Sequence, residues 1–254
     1  MLEVLNVSKY YGGLAAVRGV SFTARRGEVL GYLGPNGSGK STTVNMVAGL
    51  LEPTLGKIRV DGEDIHRDVL AHRRRIGYVP ETPDVYSHLT GPDYLTLVGR
   101  LRRIAPDVLE EKIERFLRLF DIYGDRYAQL SGYSKGMRQK ILIAAGLLHD
   151  PEIVILDEPS SGLDVGTTLV LKQLIRALAA EGKIVLYSSH VLEIVEQVCS
   201  SVVILRDGQV AASDRIERLE ELMNQPSLEQ VFTRLAVQDD AGEVAGELVE
   251  AMKL

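Results

Sequence analysis

The sequence predicts an α/β protein built on a parallel sheet, and three features predict it. A glycine-rich loop, Gly34-Pro35-Asn36-Gly37-Ser38-Gly39-Lys40-Ser41, sits between an apolar run and a helix-compatible run. Strand signals return at Ile153–Leu156, Ile184–Ser188 and Val202–Leu205, with helical stretches between them. From Thr90 to His149 the period is mostly helical, which sets a helical insert, 82–143, inside the α/β core.

Taken in order, Leu2–Val7 and Val17–Thr23 are short apolar or alternating runs, so the chain opens β-rich. Arg26-Gly27-Glu28 is a turn, Val29–Leu33 a buried strand and Ser41–Leu50 a helix. Ile58–Val60 is a strand ended by the Asp61-Gly62 turn, and Ile76–Val79 is another. Pro80 and Pro83 then break the pattern. Thr90 and Asp93 have the spacing of a capping box, and Ile113, Phe116, Leu117 and Phe120 share one helical face. The charged tail reads as helical. The expected plan is one α/β domain over 1–212 and a C-terminal helical extension over 213–254.

Composition narrows the function. The 254-residue chain is 45% hydrophobic and 25% charged, ordinary for a globular protein. Its net charge of -6 argues against a general nucleic-acid binder, which needs a basic face. The single cysteine, Cys199, excludes an internal disulfide and lies in an apolar run, as a small core residue would. No N-terminal signal peptide is visible, because the opening run carries Glu3 and Asn6. No apolar run approaches the roughly 18 residues of a membrane span. Arg73-Arg74-Arg75 with Arg100, Arg102 and Arg103 could form a phosphate or lipid patch, though runs this short are usually solvated faces.

The Gly34–Ser41 loop fits G-x-x-x-x-G-K-[ST], and the strand before it and helix after it supply the required context. Glycines let the backbone wrap a phosphate chain, and a helix N-terminus favours an anion through its N–H groups and dipole. Lys40 would reach the β- and γ-phosphates of ATP or GTP, and the Ser41 hydroxyl would bind Mg²⁺. Further along, Ile153–Leu156 ends in Asp157-Glu158-Pro159. Ligand groups in open α/β sheets gather at strand C-termini. There Asp157 can hold Mg²⁺, and Glu158 can orient and deprotonate an attacking water.

From roughly Leu2 to Ser213 the chain resembles the nucleotide-binding subunit of ATP-binding cassette (ABC) transporters, with several motifs in that family's order. The resemblance implies a P-loop NTPase core with a parallel sheet, an antiparallel β subdomain and an inserted α-helical subdomain. It implies ATP and Mg²⁺ as cofactors and adds Thr42 to the phosphate contacts. It places the adenine-stacking aromatic at Tyr11 in Lys9-Tyr10-Tyr11-Gly12, with Tyr10 one register step away. It matches the D-loop to Ser161-Gly162-Leu163-Asp164 and the switch histidine to His190. The family's signature, normally Leu-Ser-Gly-Gly-Gln, is not the tempting Leu130-Ser131-Gly132. Alignment from the basic-Gln-basic run Arg138-Gln139-Lys140 puts it at Tyr133-Ser134-Lys135-Gly136-Met137. Ser134 and Gly136 are retained, Lys135 and Met137 depart, and Lys135 could add positive charge near a phosphate on the opposite subunit or point to solvent. The Q-loop glutamine is replaced by Glu81, which can still bind Mg²⁺ or water.

The resemblance also implies a head-to-tail dimer, a separate polytopic permease subunit, and a peripheral position on the cytoplasmic face of the membrane. Pro83, Val85, Tyr86 and Leu89 are the expected residues of the groove that receives the permease. Glu81-Thr82-Pro83, Tyr133–Gln139 and Ser227–Phe232 resemble the type-2 exporter group. The alternatives are a non-transport ABC ATPase and an ATP-gated dimeric clamp. One cassette, no coiled-coil insertion and an intact Glu158–His190 set weigh against both.

Overall fold

The computed structural model describes residues 1–236 and Met252. β1 (Leu2–Tyr11) turns through Gly12 and Gly13, both at positive φ, into β2 (Leu14–Ala24). β3 (Val29–Leu33) leads through the glycine-rich loop to α1 (Lys40–Val47). β4 (Leu55–Val60) pairs antiparallel with β1, and an Asp61-Gly62 turn with both residues at positive φ returns it as β5 (Glu63–Asp64). These strands make an antiparallel sheet of order β2-β1-β4-β5.

α2 (Val69–Arg75) precedes β6 (Ile76–Val79), and α3 (Gly91–Leu101), α4 (Pro106–Leu119) and α5 (Lys135–Leu147) form the helical insert. The expected capping box starts α3: Thr90 Oγ1 accepts from the Asp93 N–H at 3.2 Å, and Asp93 accepts from the Thr90 N–H. β7 (Ile153–Asp157), α6 (Val165–Ala180), β8 (Ile184–Ser188), α7 (Leu192–Val198), β9 (Ser201–Arg206) and β10 (Gln209–Arg215) follow. The chain continues as α8 (Ile216–Met223) and α9 (Leu228–Ala236). The second sheet has the order β10-β9-β3-β8-β7-β6 and is parallel except for β10.

Every residue of β3, β7 and β8 is buried, because both faces of this sheet are covered. The two-residue period of a strand divides its side chains between two cores. Val154 and Leu156 pack with the helices of the insert and with α6 and α7, while Ile153 and Ile155 pack with α1 and the antiparallel sheet. The apolar runs of the sequence are therefore continuous because each alternate residue has a core of its own.

Some expectations change in detail. α2 and β10 were not foreseen, and β10 runs through the 212/213 boundary, so the helices of the extension begin at Ile216. Residues 237–254 of that extension, Met252 apart, lie outside the described residues. Three of the six arginines are structural, and Arg74, Arg100 and Arg103 are exposed: Arg73 donates to the Gly49 carbonyl at 3.0 Å, Arg75 pairs with Glu152 and Asp61, and Arg102 donates to the Ile76 carbonyl. Cys199 is buried, and desolvation pushes its thiol far above the usual range. Among the described residues no helix is long and apolar enough to cross a membrane.

Candidate nucleotide site

A cavity of about 500 Å³ opens at the C-terminal ends of β3, β7 and β8. Gly37 and Gly39 in the loop after β3 have φ of 78° and 94°, values that only glycine adopts freely. At Gly39 space is limiting as well, since a Cβ there would lie 2.5 Å from the Ala16 carbonyl oxygen. Gly39 sits at the N-terminus of α1, which has no side-chain cap, so the first N–H groups of the helix are left for an anion. The Lys40 ammonium donates to the carbonyls of Gly34 at 2.6 Å and Pro35 at 3.0 Å. Burial lowers its affinity for a proton, against the opposing pull of Glu158, Asp157 and Glu81. Asn36, Gly37, Ser41 and Thr42 line the cavity, whereas Ser38 is buried in the loop with no partner for its hydroxyl among the described residues.

The opposite wall is acidic. Asp157 ends β7 beside Ser188 of β8. Desolvation holds its carboxyl above the usual range, and Glu81 and Glu158 raise it further. The Ser41 hydroxyl, Asp157 and Glu81 thus face one space as hard oxygen donors, the set that suits a divalent cation. Among the described residues no three His, Cys, Asp or Glu side chains form a ready cage, so a cation here would draw its remaining oxygens from phosphate and water. Glu158 adopts a left-handed backbone, φ 47°, with its N–H donating to the Ser188 carbonyl at 2.9 Å. Its Oε2 lies 2.8 Å from His190 Nδ1 and accepts from Ser189 Oγ at 3.2 Å.

The other expected site residues form a separate group. Ser134 caps α5, its Oγ accepting from the Met137 N–H at 3.2 Å. The tempting Leu130–Gly132 is a 3₁₀ turn before that helix, with the Ser131 N–H donating to the Ser87 carbonyl. Lys135 does not point freely to solvent: its ammonium donates to Ser161 Oγ at 2.7 Å. Gly136 packs on the Gly162 carbonyl, and Asp164 caps α6 with Lys140 at 3.8 Å. None of Ser134, Lys135, Gly136 and Asp164 lines the 500 Å³ cavity, and neither does Tyr11. Tyr11 is half exposed at the end of β1, with Lys9 Nζ 5.6 Å from its ring centroid, and Tyr10 beside it is also exposed.

The sequence pattern of the family described as ABC transporter matches residues 17–161. The ABC transporter ATP-binding protein NatA of Bacillus subtilis is 38% identical over 85% of this chain and 89% of its own length. The chain belongs to the ABC transporter family. Its part there is that of the ATP-binding, ATP-hydrolysing subunit. The Nod factor export ATP-binding protein I of Rhizobium leguminosarum bv. viciae is 36% identical over 90% of this chain and 74% of its own. A solved ATP-binding subunit of an ABC transporter superposes with a TM-score of 0.87 at 32% identity, over 92% of this cassette and 99% of that chain. A dimeric ATP-binding cassette bound to ADP and phosphate shares the fold at 24% identity, with a TM-score of 0.78 over 85% of this chain and 98% of its own.

Sequence reasoning missed two parts of this cassette's site. Ala16 lines the cavity through its place against Gly39, and an alanine gives no signal of that. Ser189 could have been noticed as a hydroxyl beside His190. The residues expected at the permease groove lie outside the cavity at the boundary of core and insert. A cavity of about 270 Å³ between the core and the helical insert is lined by Pro80, Asp84, Tyr94, Val98 and Leu142, among others, and by none of Pro83, Val85, Tyr86 and Leu89. Val85 packs against the core, and Tyr86 is exposed with its ring 6.3 Å from that of Tyr94, which lines this cavity.

Proposed function

We propose that this chain powers export through a separate polytopic membrane permease, as one of two copies in a head-to-tail dimer on the cytoplasmic face of the membrane. One observation carries the reading. The site residues fall into two groups, one around the Gly34–Thr42 loop with Glu81, Asp157, Glu158 and His190, the other around Ser134–Gly136 and Asp164. Each chain then offers two unlike half-sites, and a second copy turned end for end completes both.

In this reading Lys40, the loop N–H groups and Thr42 hold the ATP phosphates, Glu158 orients the attacking water and His190 meets the γ-phosphate. Tyr11 stacks on adenine, and the Ser134 hydroxyl and Gly136 N–H cap the phosphate of the partner copy. Ser41, Asp157 and Glu81 would hold Mg²⁺. Magnesium, when bound, neutralises phosphate charge that three carboxylates would otherwise repel. The cassette takes in all of β10, and the extension begins at Ile216. Nucleic acid has no part. The export direction is supported by the names of similar proteins, among them Nod factor export protein I and the linearmycin resistance protein LnrL of Bacillus subtilis.

Affinity purification from native membranes in mild detergent tests the reading. A polytopic membrane protein recovered in stoichiometric amount is the expected result. Recovery as a free ATPase, or with ribosomes or DNA, would overturn the transport assignment and leave the ATP site intact.

A further inference from the structure

The Glu158 carboxylate has a support that none of the expected motifs assigns. Ser189 is 2% exposed and sits between two groups of the site. Its Oγ donates to Glu158 Oε2 at 3.2 Å and accepts from the Val191 N–H at 3.1 Å. One hydroxyl therefore ties the carboxylate to the backbone of the His190 loop. Both contacts of Glu158, from Ser189 and from His190, go to Oε2. Oε1 accepts no hydrogen bond among the described residues, and Glu158 lines the cavity.

We propose that Ser189 is a positioning residue for ATP hydrolysis: it fixes one carboxylate oxygen of Glu158 so that the other is presented to water in a set direction. The inference rests on Glu158 being the base. A glutamate side chain has three rotatable bonds, and its value as a base depends on geometry first. Backbone hydrogen bonds hold the Glu158 N–H, through the Ser188 carbonyl, and the Glu158 carbonyl, through the Ser161 N–H, but neither reaches the carboxylate. Of the carboxylate's two contacts, the one from Ser189 comes from a fully enclosed side chain, whereas the His190 ring is 76% exposed. The enclosed hydroxyl is the fixed point and the histidine the movable one. Ser189 does not line the cavity itself and reaches it only through Glu158, so ATP affinity should hold when Ser189 is changed.

The test compares ATP turnover by the full chain with Ser189→Ala, Ser189→Thr, Glu158→Gln and Glu158→Gln/Ser189→Ala, with ATP affinity measured separately. Ser189→Ala is expected to lower kcat about tenfold, the worth of one buried hydrogen bond, with KM and ATP affinity unchanged. Ser189→Thr, which keeps the hydroxyl, restores turnover. In the Glu158→Gln background the alanine change has no further effect. Equal kcat for Ser189→Ala and wild type overturns the proposal. So does an undiminished effect in the Glu158→Gln background, which would mean that Ser189 acts elsewhere. Wild-type turnover by Glu158→Gln alone is a different failure, that of Glu158 as base. If Ser189→Ala melts early, the threonine variant decides: folded but slow, it also overturns the proposal.

Discussion

Gly136 and Gly162 meet so closely that a methyl group on Gly136 would lie 2.5 Å from the Gly162 carbonyl oxygen. This contact seats the start of α5 on the loop that follows Glu158. Gly136→Ala should therefore push α5 and the Ser160–Asp164 loop apart, destabilising the fold by about 1–3 kcal/mol, the usual range for overpacking. ATP turnover should fall with it. Urea denaturation and a steady-state ATPase assay check both, and wild-type values in the two would show that the loop yields freely.

Lys40→Ala should remove the ammonium that the Gly34 and Pro35 carbonyls hold over the loop. Loss of one such electrostatic group costs about 10² to 10³ in kcat. Glu158→Gln should instead keep ATP binding and trap a dimer in the presence of ATP. Size-exclusion chromatography with ATP and Mg²⁺ checks this: a monomer under those conditions would count against the head-to-tail model.

Chelation of Mg²⁺ should abolish turnover, since Asp157, Glu81 and Glu158 all raise negative charge around one cavity. Glu81→Gln keeps the shape and removes one charge. Loss of an outer ligand of this kind weakens metal affinity by about tenfold. A Mg²⁺ titration of the ATPase rate reads the shift, and superimposable curves would exclude Glu81 from the metal site.

Stability should fall on mild acidification. Desolvation, helped by the Arg102 charge, lowers the His149 imidazole from 6.5 to about 4. Its Nε2–H donates to the Ile76 carbonyl at 3.0 Å. His72, which bonds the Val47 carbonyl at 2.8 Å, is lowered too, again by desolvation. A lowered folded value means that the unfolded chain takes up protons first. The stability of these neutral rings is thus complete above pH 6.5 and lost as pH falls towards about 4. Thermal midpoints across that window should drop, and His149→Gln should flatten the slope. Below it, Asp61, Asp150 and Glu152, each held low by a charged partner, contribute their own loss.

The site was legible in the sequence wherever chemistry is carried by neighbours in the chain. Gly34–Ser41 and Asp157-Glu158 were each readable from a few adjacent residues, Thr42 and His190 only through the resemblance and its order of motifs, and the sheet brings them to one cavity. Contacts that depend on folding were not readable: Ala16 against Gly39, or Ser189 against Glu158. In the fold, Asp207-Gly208 turns β9 into β10 with both residues at positive φ, as Asp61-Gly62 turns β4 into β5. The first Asp-Gly signal was read and the second was not. α2 is seven residues long and carries three arginines. Beyond the local Asp68 cap its support is tertiary, from His72 bonding the Val47 carbonyl at the end of α1 and Arg73 bonding the Gly49 carbonyl just after it. Helical period alone does not reveal such a helix.

Glu158 holds a left-handed backbone at φ 47° with its side chain 8% exposed. A residue with a Cβ gives up about 1–2 kcal/mol to sit there, and an enclosed charge adds to that cost. Glycine at this position would relieve both burdens, leaving a chain that resists heat better and no longer turns over ATP. Selection for heat resistance alone would therefore drift toward inactive protein at the one position where activity is most needed.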